Sequence, residues 1–186
     1  AAVLGKRHRV LRTTENLNNE YGLPLSLLRV EAYHEIAVLE MGMSAPGEIR
    51  KLAAISEPNE GVITNVNSAH LEFFNSVDEI AAAKAELIEG LVGKRRAYLN
   101  NDDSRVRRMA RKFDGEIVTF GMSSIAAFKV ITTEHLGVEG TAFTVHNGRR
   151  NVNFFMPLLG VHNVANAAAA ISVGITHGLE WEQVQE

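Results

Sequence analysis

The stretch IAVLEMGMSAPGEIRKLAAISEPNEGVITNV, residues 36–66, decides the fold. It opens with the apolar run IAVLEM at 36–41, continues into an amphipathic stretch near 46–54 and closes on a second apolar run, GVITNV at 61–66. Both runs are apolar almost throughout rather than at every second residue, which is typical of parallel strands covered on both faces. The stretch therefore predicts a strand, a helix and a second strand of one parallel sheet.

The same alternation extends along most of the chain. Further apolar runs are RVLRT at 9–13, RAYLN at 96–100 and EIVTFG at 116–121, and further amphipathic stretches lie near 22–30, 76–93 and 103–113. We expect an α/β fold in which a mostly parallel, doubly wound sheet is flanked by helices.

The sequence pattern changes from alternating strands and helices to β-rich segments between about residue 126 and residue 157. This β-rich insert is divided by Gly137, Gly140 and Gly148, which predicts an antiparallel β meander appended to the parallel sheet. An Ala-rich helix is expected after Pro157, and LEWEQVQE at 179–186 begins another helix.

Composition narrows the function classes. The 186 residues are 46% hydrophobic, which suits one domain covering 1–186, and 19 Lys and Arg against 22 Asp and Glu give a net charge of −3. This charge favours neither nucleic acid nor an anionic membrane as a partner, and we expect a monomer.

The chain contains no Cys and no apolar run of about 18 residues. We expect a soluble, cytoplasmic protein. Because the chain starts at Ala1 with what looks like the tail of a helix, we also expect a fragment of a longer protein.

Two polar residues follow predicted strands, at the sheet edge where α/β proteins bind ligands. Glu40 closes IAVLE and could face a metal or a phosphate-bearing ligand, or it could be an exposed strand-end acid. His70 follows GVITNVNSA and could bind a metal or act as an acid or base, or it could be a satisfied loop histidine.

Lys84 is an unusual residue on a predicted helix. Ser76 and Glu79 form a Ser-x-x-Glu capping box that starts this helix. Lys84 lies on the apolar stripe, whose other members are Ile80, Ala83, Leu87, Ile88 and Leu91. Its ammonium could extend outward along its stem. Alternatively, a desolvated lysine has a lowered pKa and can react with carbon dioxide to give a carbamate, an anionic oxygen ligand.

Two asparagines at the start of the Ala-rich helix and two basic clusters each allow more than one interpretation. Asn163 and Asn166 lie three apart at a helix start, where Asn163 could be the N-cap or both amides could read the edge of a base such as adenine. The basic clusters at 94–96 and 105–112 lack interleaved aromatic residues, so we interpret them as solvated surface.

Taken together and in order, these features resemble the Mur ligase family. The resembling segments are NLNNEYGLPLSLL at 16–28, VLEMGMSAPGEI at 38–49, ITNVNSAHLEFFNSVDEIAAAKAEL at 63–87, LNNDD at 99–103 and GVHNVANAAAA at 160–170. The resemblance is to the P-loop NTPase-like central, ATP-binding domain of the family, and NLNNEYGLPL points to the member that adds D-alanyl-D-alanine to UDP-N-acetylmuramoyl-tripeptide. It implies an ATP-dependent ligase that forms an amide through an acyl phosphate, in peptidoglycan synthesis and hence in cell shape and division.

The resemblance also implies roles for single residues. Glu40 and His70 would bind Mg²⁺, and Lys84 would be the carbamylated catalytic lysine that helps to hold a second Mg²⁺. Asn163 and Asn166, together with His162, would contact the nucleotide. Residues implied to lie near the substrate or nucleotide are Asn18, Asn19, Asn67 and Asp102.

The sequence departs from the family pattern in one respect. The phosphate-binding loop Gly-x-x-Gly-Lys-Ser/Thr does not occur in it, because Gly5 and Lys6 are followed by Arg7. We expect that loop upstream of residue 1, and expect the N-terminal UDP-binding domain and the C-terminal domain outside the chain as well. The alternatives are another amide ligase of the superfamily, such as the folate polyglutamating enzyme, and a non-catalytic nucleotide-binding or partner-binding module.

Overall fold

The computed structural model describes residues 1–67 and 72–186. The strands are β1 (Val10–Arg12), β2 (Ile36–Val38), β3 (Glu60–Ile63), β4 (Arg96–Asn100), β5 (Glu116–Gly121), β6 (Phe128–His135), β7 (Thr141–His146) and β8 (Asn151–Met156). The helices are α1 (Gly22–Leu27), α2 (Glu48–Ser56), α3 (Val77–Glu89), α4 (Ser104–Ala110), α5 (Val161–Thr176) and α6 (Trp181–Gln185). Within these residues, none of the helices is long and apolar enough to span a membrane.

The strands form two hydrogen-bonded groups. β1 and β2 pair in parallel, and β3 to β8 form a six-stranded sheet in chain order. Within that sheet β3, β4, β5 and β6 are parallel neighbours, whereas β6, β7 and β8 pair antiparallel. The mostly parallel sheet and the antiparallel meander at 126–157 are therefore confirmed.

Strand β4, the neighbour of β3 and β5, is buried on both faces. Tyr98 points into a core shared with α5, whereas Ala97 and Leu99 point into a second core shared with α2, α3 and α4. All five residues of β4 are buried, which explains why RAYLN does not alternate between apolar and polar residues. Helices thus cover both faces of the sheet, as the doubly wound prediction requires.

The β1–β2 pair belongs to the same layer although it is not hydrogen-bonded to β3. Ile36 and Val38 pack against the α5-side core, and Leu39 packs against the core on the opposite face. β2 and the residue that follows it therefore contribute side chains to both cores. The sequence pattern predicts one parallel sheet, and the interruption of its pairing between the β1–β2 pair and β3 is a difference that apolar periodicity does not encode.

A buried acid joins α2 to α3. Glu86 of α3 is only 7% exposed, and its two carboxylate oxygens accept hydrogen bonds from the backbone N–H groups of Gly47 and Arg50, each at 3.0 Å. These donors lie at the start of α2, where N–H groups have no partner within the helix and the helix dipole favours an anion. Glu86 therefore fixes the beginning of α2 against α3.

A polar network joins the amino ends of the strands to the end of α5. Glu60, the first residue of β3, accepts hydrogen bonds from Arg96 Nη1 at 2.9 Å, from Tyr98 Oη at 3.0 Å and from His177 Nε2 at 2.9 Å. Arg96 also pairs with Glu116 at 2.9 Å. Burial would raise the pKa of Glu60, but hydrogen bonds from His177 and Tyr98 and the nearby positive charges bring the pKa below its usual value.

Arg96 corrects part of the surface interpretation of the basic clusters. It is only 8% exposed and lies between Glu60 and Glu116, so it is an internal ion-pair residue. The prediction was wrong at this position because the two acids come from neighbouring strands that sequence spacing does not connect. Arg105 and Arg108 both pair with Asp78 near the protein surface.

We expect Glu60→Gln to lower the free energy of unfolding at neutral pH by about 2 kcal/mol, because it removes the anion that three buried or half-buried donors share. The pKa of Glu60 is depressed in the folded state, so its stabilisation is present above the ordinary glutamate pKa and is lost as the pH falls through the depressed value. Urea unfolding of both proteins at several pH values measures this difference.

Glu116→Gln is the matched control. Glu116 pairs with the same Arg96 but is 48% exposed, so we expect a loss of less than about 1 kcal/mol. Equal losses for the two variants, or a difference between wild type and Glu60→Gln that persists in acid, would contradict the proposed role of the network.

Candidate functional site

Polar residues collect at the carboxyl edge of the parallel strands. Asn18 and Asn19 follow β1, Glu40 follows β2, residues 64–67 follow β3, and Asn101 to Asp103 follow β4. The carboxyl ends of parallel strands lie on one edge of an α/β sheet, and ligands bind there. The fold therefore gathers at one edge most of the candidates that the sequence scatters along the chain.

Glu40 is held at its backbone and at one carboxylate oxygen. Its N–H donates to the Thr13 hydroxyl at 2.9 Å, and its Oε1 accepts from Asn18 Nδ2 at 3.0 Å. The Gly42 N–H donates to the Asn18 backbone carbonyl at 2.7 Å. Glu40 is exposed, so its carboxylate is both oriented by neutral partners and open to a ligand. This arrangement suits a cation site, although it does not exclude a strand-end acid.

Asn19 has a structural role that the sequence did not indicate. Its Oδ1 accepts hydrogen bonds from the N–H groups of Tyr21 and Gly22 at 3.1 and 2.9 Å, at the start of α1. Asn18 and Asn19 also line a cleft of about 500 Å³ between the loops after β1 and β2. The other residues lining it are Glu20, Tyr21, Gly42, Met43, Ser44, Glu48, Lys51, Leu52, Glu72 and Phe73.

Lys84 points toward the carboxyl end of β3. The hydroxyl of Ser76 accepts from the Glu79 N–H at 3.1 Å and starts α3 as predicted, although the Glu79 carboxylate bonds the N–H of Asn75. Lys84 is half-buried, and its Nζ donates to the Asn65 carbonyl at 2.7 Å. Burial lowers the pKa of Lys84, and the charge of Asp103 partly opposes that shift. The amine therefore lies at the loop after β3.

The segment Asn100 to Asp103 binds the loops on both sides of β4. Asn100 Nδ2 donates to the Thr64 carbonyl, and Asp103 accepts from the Val66 N–H, each at 2.7 Å. Asp102 accepts from the N–H groups of Met122 and Ser123, at 2.8 and 2.7 Å. Asp102 thus holds the turn after β5. Its predicted contact with substrate or nucleotide stays a prediction.

The start of α5 also lies toward this edge. His177, just after the end of α5, bonds Glu60 at the amino end of β3. Sixteen helical residues span about 24 Å, so the other end of α5 lies near the carboxyl ends of the strands. His162 and Asn166 are exposed there. The arrangement is consistent with a nucleotide contact, which stays a prediction.

Asn163 is not the N-cap of α5. The helix begins at Val161 after Gly160, whose φ of +100° suits a glycine, and Asn163 lies within the first turn. Its Nδ2 donates to the Leu159 carbonyl at 2.8 Å. The N-cap interpretation, one of the two that the sequence left open, was wrong because the helix begins at Val161, two residues before the asparagine.

His70, a predicted metal ligand, and Asn67, predicted to lie near substrate or nucleotide, both belong to the chain that follows β3. His70 lies outside the described residues, and Asn67 is exposed in the loop after β3. Among residues 1–67 and 72–186, no group of three His, Asp or Glu side chains could hold a metal ion. The structure thus brings Glu40 together with Asn18, and Lys84 together with Asn65 and Asp103; the convergence of Glu40, His70 and Lys84 stays a prediction.

Sequence reasoning missed Asn100 and Asp103 as parts of this edge. Both stand in LNNDD, in which only Asp102 was singled out. Their signal was available in principle, because the polar residue that ends a buried strand and the three polar residues that follow it have to find partners in the neighbouring loops.

The fold and this edge define the class: a doubly wound α/β domain whose polar side chains collect at the carboxyl ends of its parallel strands. The model of the Mur ligase middle domain matches residues 1–174. The chain belongs to the Mur ligase middle domain family.

Individual relatives and solved structures agree with this membership. The chain is 39% identical over 181 residues, 97% of its length, to the UDP-N-acetylmuramoyl-tripeptide–D-alanyl-D-alanine ligase of Bacillus subtilis, and 36% identical over all 186 residues to the ligase of that name from Synechocystis. The MurF ligase of Thermotoga maritima in complex with ADP superposes with a TM-score of 0.88, at 28% identity over 100% of this chain. The chain spans 38% of each of the two curated relatives and 43% of the solved structure.

We expect Gly121→Ala to lower the free energy of unfolding by about 3 kcal/mol, because Gly121 adopts a φ of +136° and an added Cβ would lie 2.6 Å from Asp102 Oδ2. The control, Gly148→Ala, has a φ of +83° but nothing within 4 Å, so it isolates the backbone cost of about 1 kcal/mol. Thermal and urea unfolding compare the two. Equal losses would mean that Asp102 does not pack against the turn after β5.

Proposed function

We propose that this chain is the nucleotide-binding and metal-binding part of an ATP-dependent ligase that joins D-alanyl-D-alanine to UDP-N-acetylmuramoyl-tripeptide in the cytoplasm. The observation that carries the proposal is the position of the Lys84 amine, which lies on the same edge of the sheet as the oriented carboxylate of Glu40. The names of the relatives support these substrates, and the bound ADP of the Thermotoga maritima structure supports a nucleotide.

The residues at this edge fit Mg²⁺. Magnesium prefers oxygen ligands, and Glu40 offers an exposed carboxylate whose orientation is set by Asn18 and Thr13. His70 would add an imidazole ligand. When bound, Mg²⁺ would neutralise the oxygen charge of the nucleotide phosphates and of the carboxylate that is activated. The chain's own contribution is to hold these groups and their ligands in fixed positions.

Lys84 would serve this site as a carbamate rather than as an ammonium. An ammonium at this edge would repel a divalent cation. Burial lowers the pKa of Lys84, which increases the fraction of neutral amine that can attack carbon dioxide. The nitrogen then forms a bond to carbon, one proton leaves to solvent, and the product carries a negative charge on its oxygens. The side chain thereby changes from a competitor of the cation into a ligand.

Other residues of the edge would bind the organic parts of the ligands. The exposed side chains of His162 and Asn166, with Asn163 beside them, are suited to contact adenine from the start of α5. Asn18 and Asn19 line the cleft of about 500 Å³, which is large enough for part of a peptide substrate. We assign Asn67 and Asp102 to the vicinity of substrate or nucleotide.

We expect the chain on its own to show no ATP-dependent ligation and little ATP binding, because its sequence contains no phosphate-binding Gly-x-x-Gly-Lys-Ser/Thr loop. A longer polypeptide that adds the flanking segments found in the relatives should release phosphate from ATP when it is also given D-alanyl-D-alanine and the UDP-linked tripeptide. Release with glutamate and a folate instead would favour the alternative ligase. Release by neither would favour a non-catalytic module.

In that longer polypeptide we expect Lys84→Ala to lower kcat by roughly 100-fold, since the variant removes a ligand of the proposed metal site. Lys94→Ala is the control, because Lys94 is exposed. Intact mass and ¹³C NMR in labelled bicarbonate would look for a carbon dioxide adduct on wild type that Lys84→Ala lacks. Full activity of Lys84→Ala would exclude the carbamate role.

A further inference from the structure

Three consecutive residues after β3 are each held by a side chain from a different element. The Thr64 carbonyl accepts from Asn100 Nδ2, the Asn65 carbonyl accepts from Lys84 Nζ, and the Val66 N–H donates to Asp103 Oδ2. Each of the three distances is 2.7 Å. The segment 64–66 is therefore fixed at successive points along its backbone.

The need for these contacts follows from where β3 stops. β3 ends at Ile63, so residues 64–66 have no place in the strand pairing with β4. Val66 is only 7% exposed, and a backbone group buried without a partner costs as much as a lost hydrogen bond. Side chains from the end of β4, from α3 and from the start of α4 supply partners that the sheet cannot.

The two partners on the β4 side are themselves rigid. Asn100 is 7% exposed, and its Oδ1 accepts from the Asp102 N–H at 2.8 Å. The second oxygen of Asp103 accepts from the N–H groups of Arg105 and Val106 at the start of α4. Both side chains are thus fixed at one end to their own segment and at the other end to residues 64–66.

Lys84 receives its position from this segment. Among the contacts of the described residues, the side chain of Lys84 has one hydrogen bond, and its acceptor is the Asn65 carbonyl between the two fixed residues. If residues 64–66 moved, the acceptor would move with them.

We propose that Asn100 and Asp103 are positioning residues, which fix segment 64–66 and through it set the place of the Lys84 amine at the sheet edge. The functional part of this proposal rests on the proposed ligase activity. Both side chains bond backbone groups of residues 64–66, so in this proposal they act through the backbone that Lys84 contacts.

The structural part is tested in this chain with Asp103→Asn and Asn100→Asp. An asparagine at 103 has one oxygen where Asp103 uses two, and an aspartate at 100 keeps the acceptor for Asp102 but loses the donor to Thr64. We expect amide exchange at Val66 to quicken by at least about tenfold in Asp103→Asn. The NMR order parameter of the Lys84 Cε–H bonds should fall in both variants.

The functional part is tested in the longer polypeptide that ligates. Both variants should lower kcat by roughly 10- to 100-fold while the KM values for ATP and D-alanyl-D-alanine stay within about threefold, because ligand binding is kept and positioning is lost. Glu60→Gln is the control for lost stability, since Glu60 lies at the opposite edge of the sheet. In Glu60→Gln, amide exchange at Val66 should quicken by no more than the loss of global stability explains. Its kcat should equal that of wild type.

The outcomes separate the two parts. Unchanged Val66 exchange and Lys84 order in both variants would overturn the positioning role, whatever the enzyme assay gives. A lower order parameter of Lys84 with an unchanged kcat would overturn the link between this positioning role and catalysis. If the wild-type longer polypeptide does not ligate, the proposed function and the catalytic link fail, while the effect on Val66 and Lys84 still decides the structural part.

Discussion

The constraint that shapes this molecule is that backbone groups beyond the end of a parallel strand still need hydrogen-bond partners. All five residues of β4 are buried, and its last residue and the three polar residues that follow it supply partners to the loops on either side. Asn100 and Asp103 bind the loop after β3, and Asn101 and Asp102 bind the turn after β5. The edge is thus organised by hydrogen bonds from these side chains to the neighbouring loops.

This organisation explains how a ligand site can be both polar and rigid. Glu40 and Lys84 project from different elements, yet each is tied to a loop at the same edge through a neutral backbone or amide partner. Neutral partners fix orientation without cancelling charge, so a carboxylate remains available to a cation. At the opposite edge, Glu60 and Arg96 neutralise each other in an ion pair. Glu60 also bonds His177, so this network joins the strands to the end of α5.

Much of the fold followed from sequence periodicity, whereas the polar contacts did not. Apolar runs such as RAYLN identify buried strands because the pattern reflects burial on both faces. The same reasoning failed at Arg96 and could not foresee the buried Glu86, since each charge is paired with groups distant in sequence. The place of Lys84 on an apolar stripe marked it as unusual but left open whether its ammonium extends outward or its amine is desolvated. Its acceptor, a backbone carbonyl, leaves no trace in residue identity.

The consecutive order of β3 to β8 has a consequence for the speed of folding. Every strand of that sheet pairs with its neighbour along the chain, so each pairing closes only the segment between two successive strands. The shortest closures, over residues 136–140 and 147–150, belong to the antiparallel hairpins, and the longer ones, 64–95 and 101–115, each contain a helix. Loop-closure entropy grows slowly with length, so this sheet can assemble by successive local additions. The docking of α5 is different, because its packing against β4 and β5 and the bond from His177 to Glu60 join residues that are far apart in the sequence.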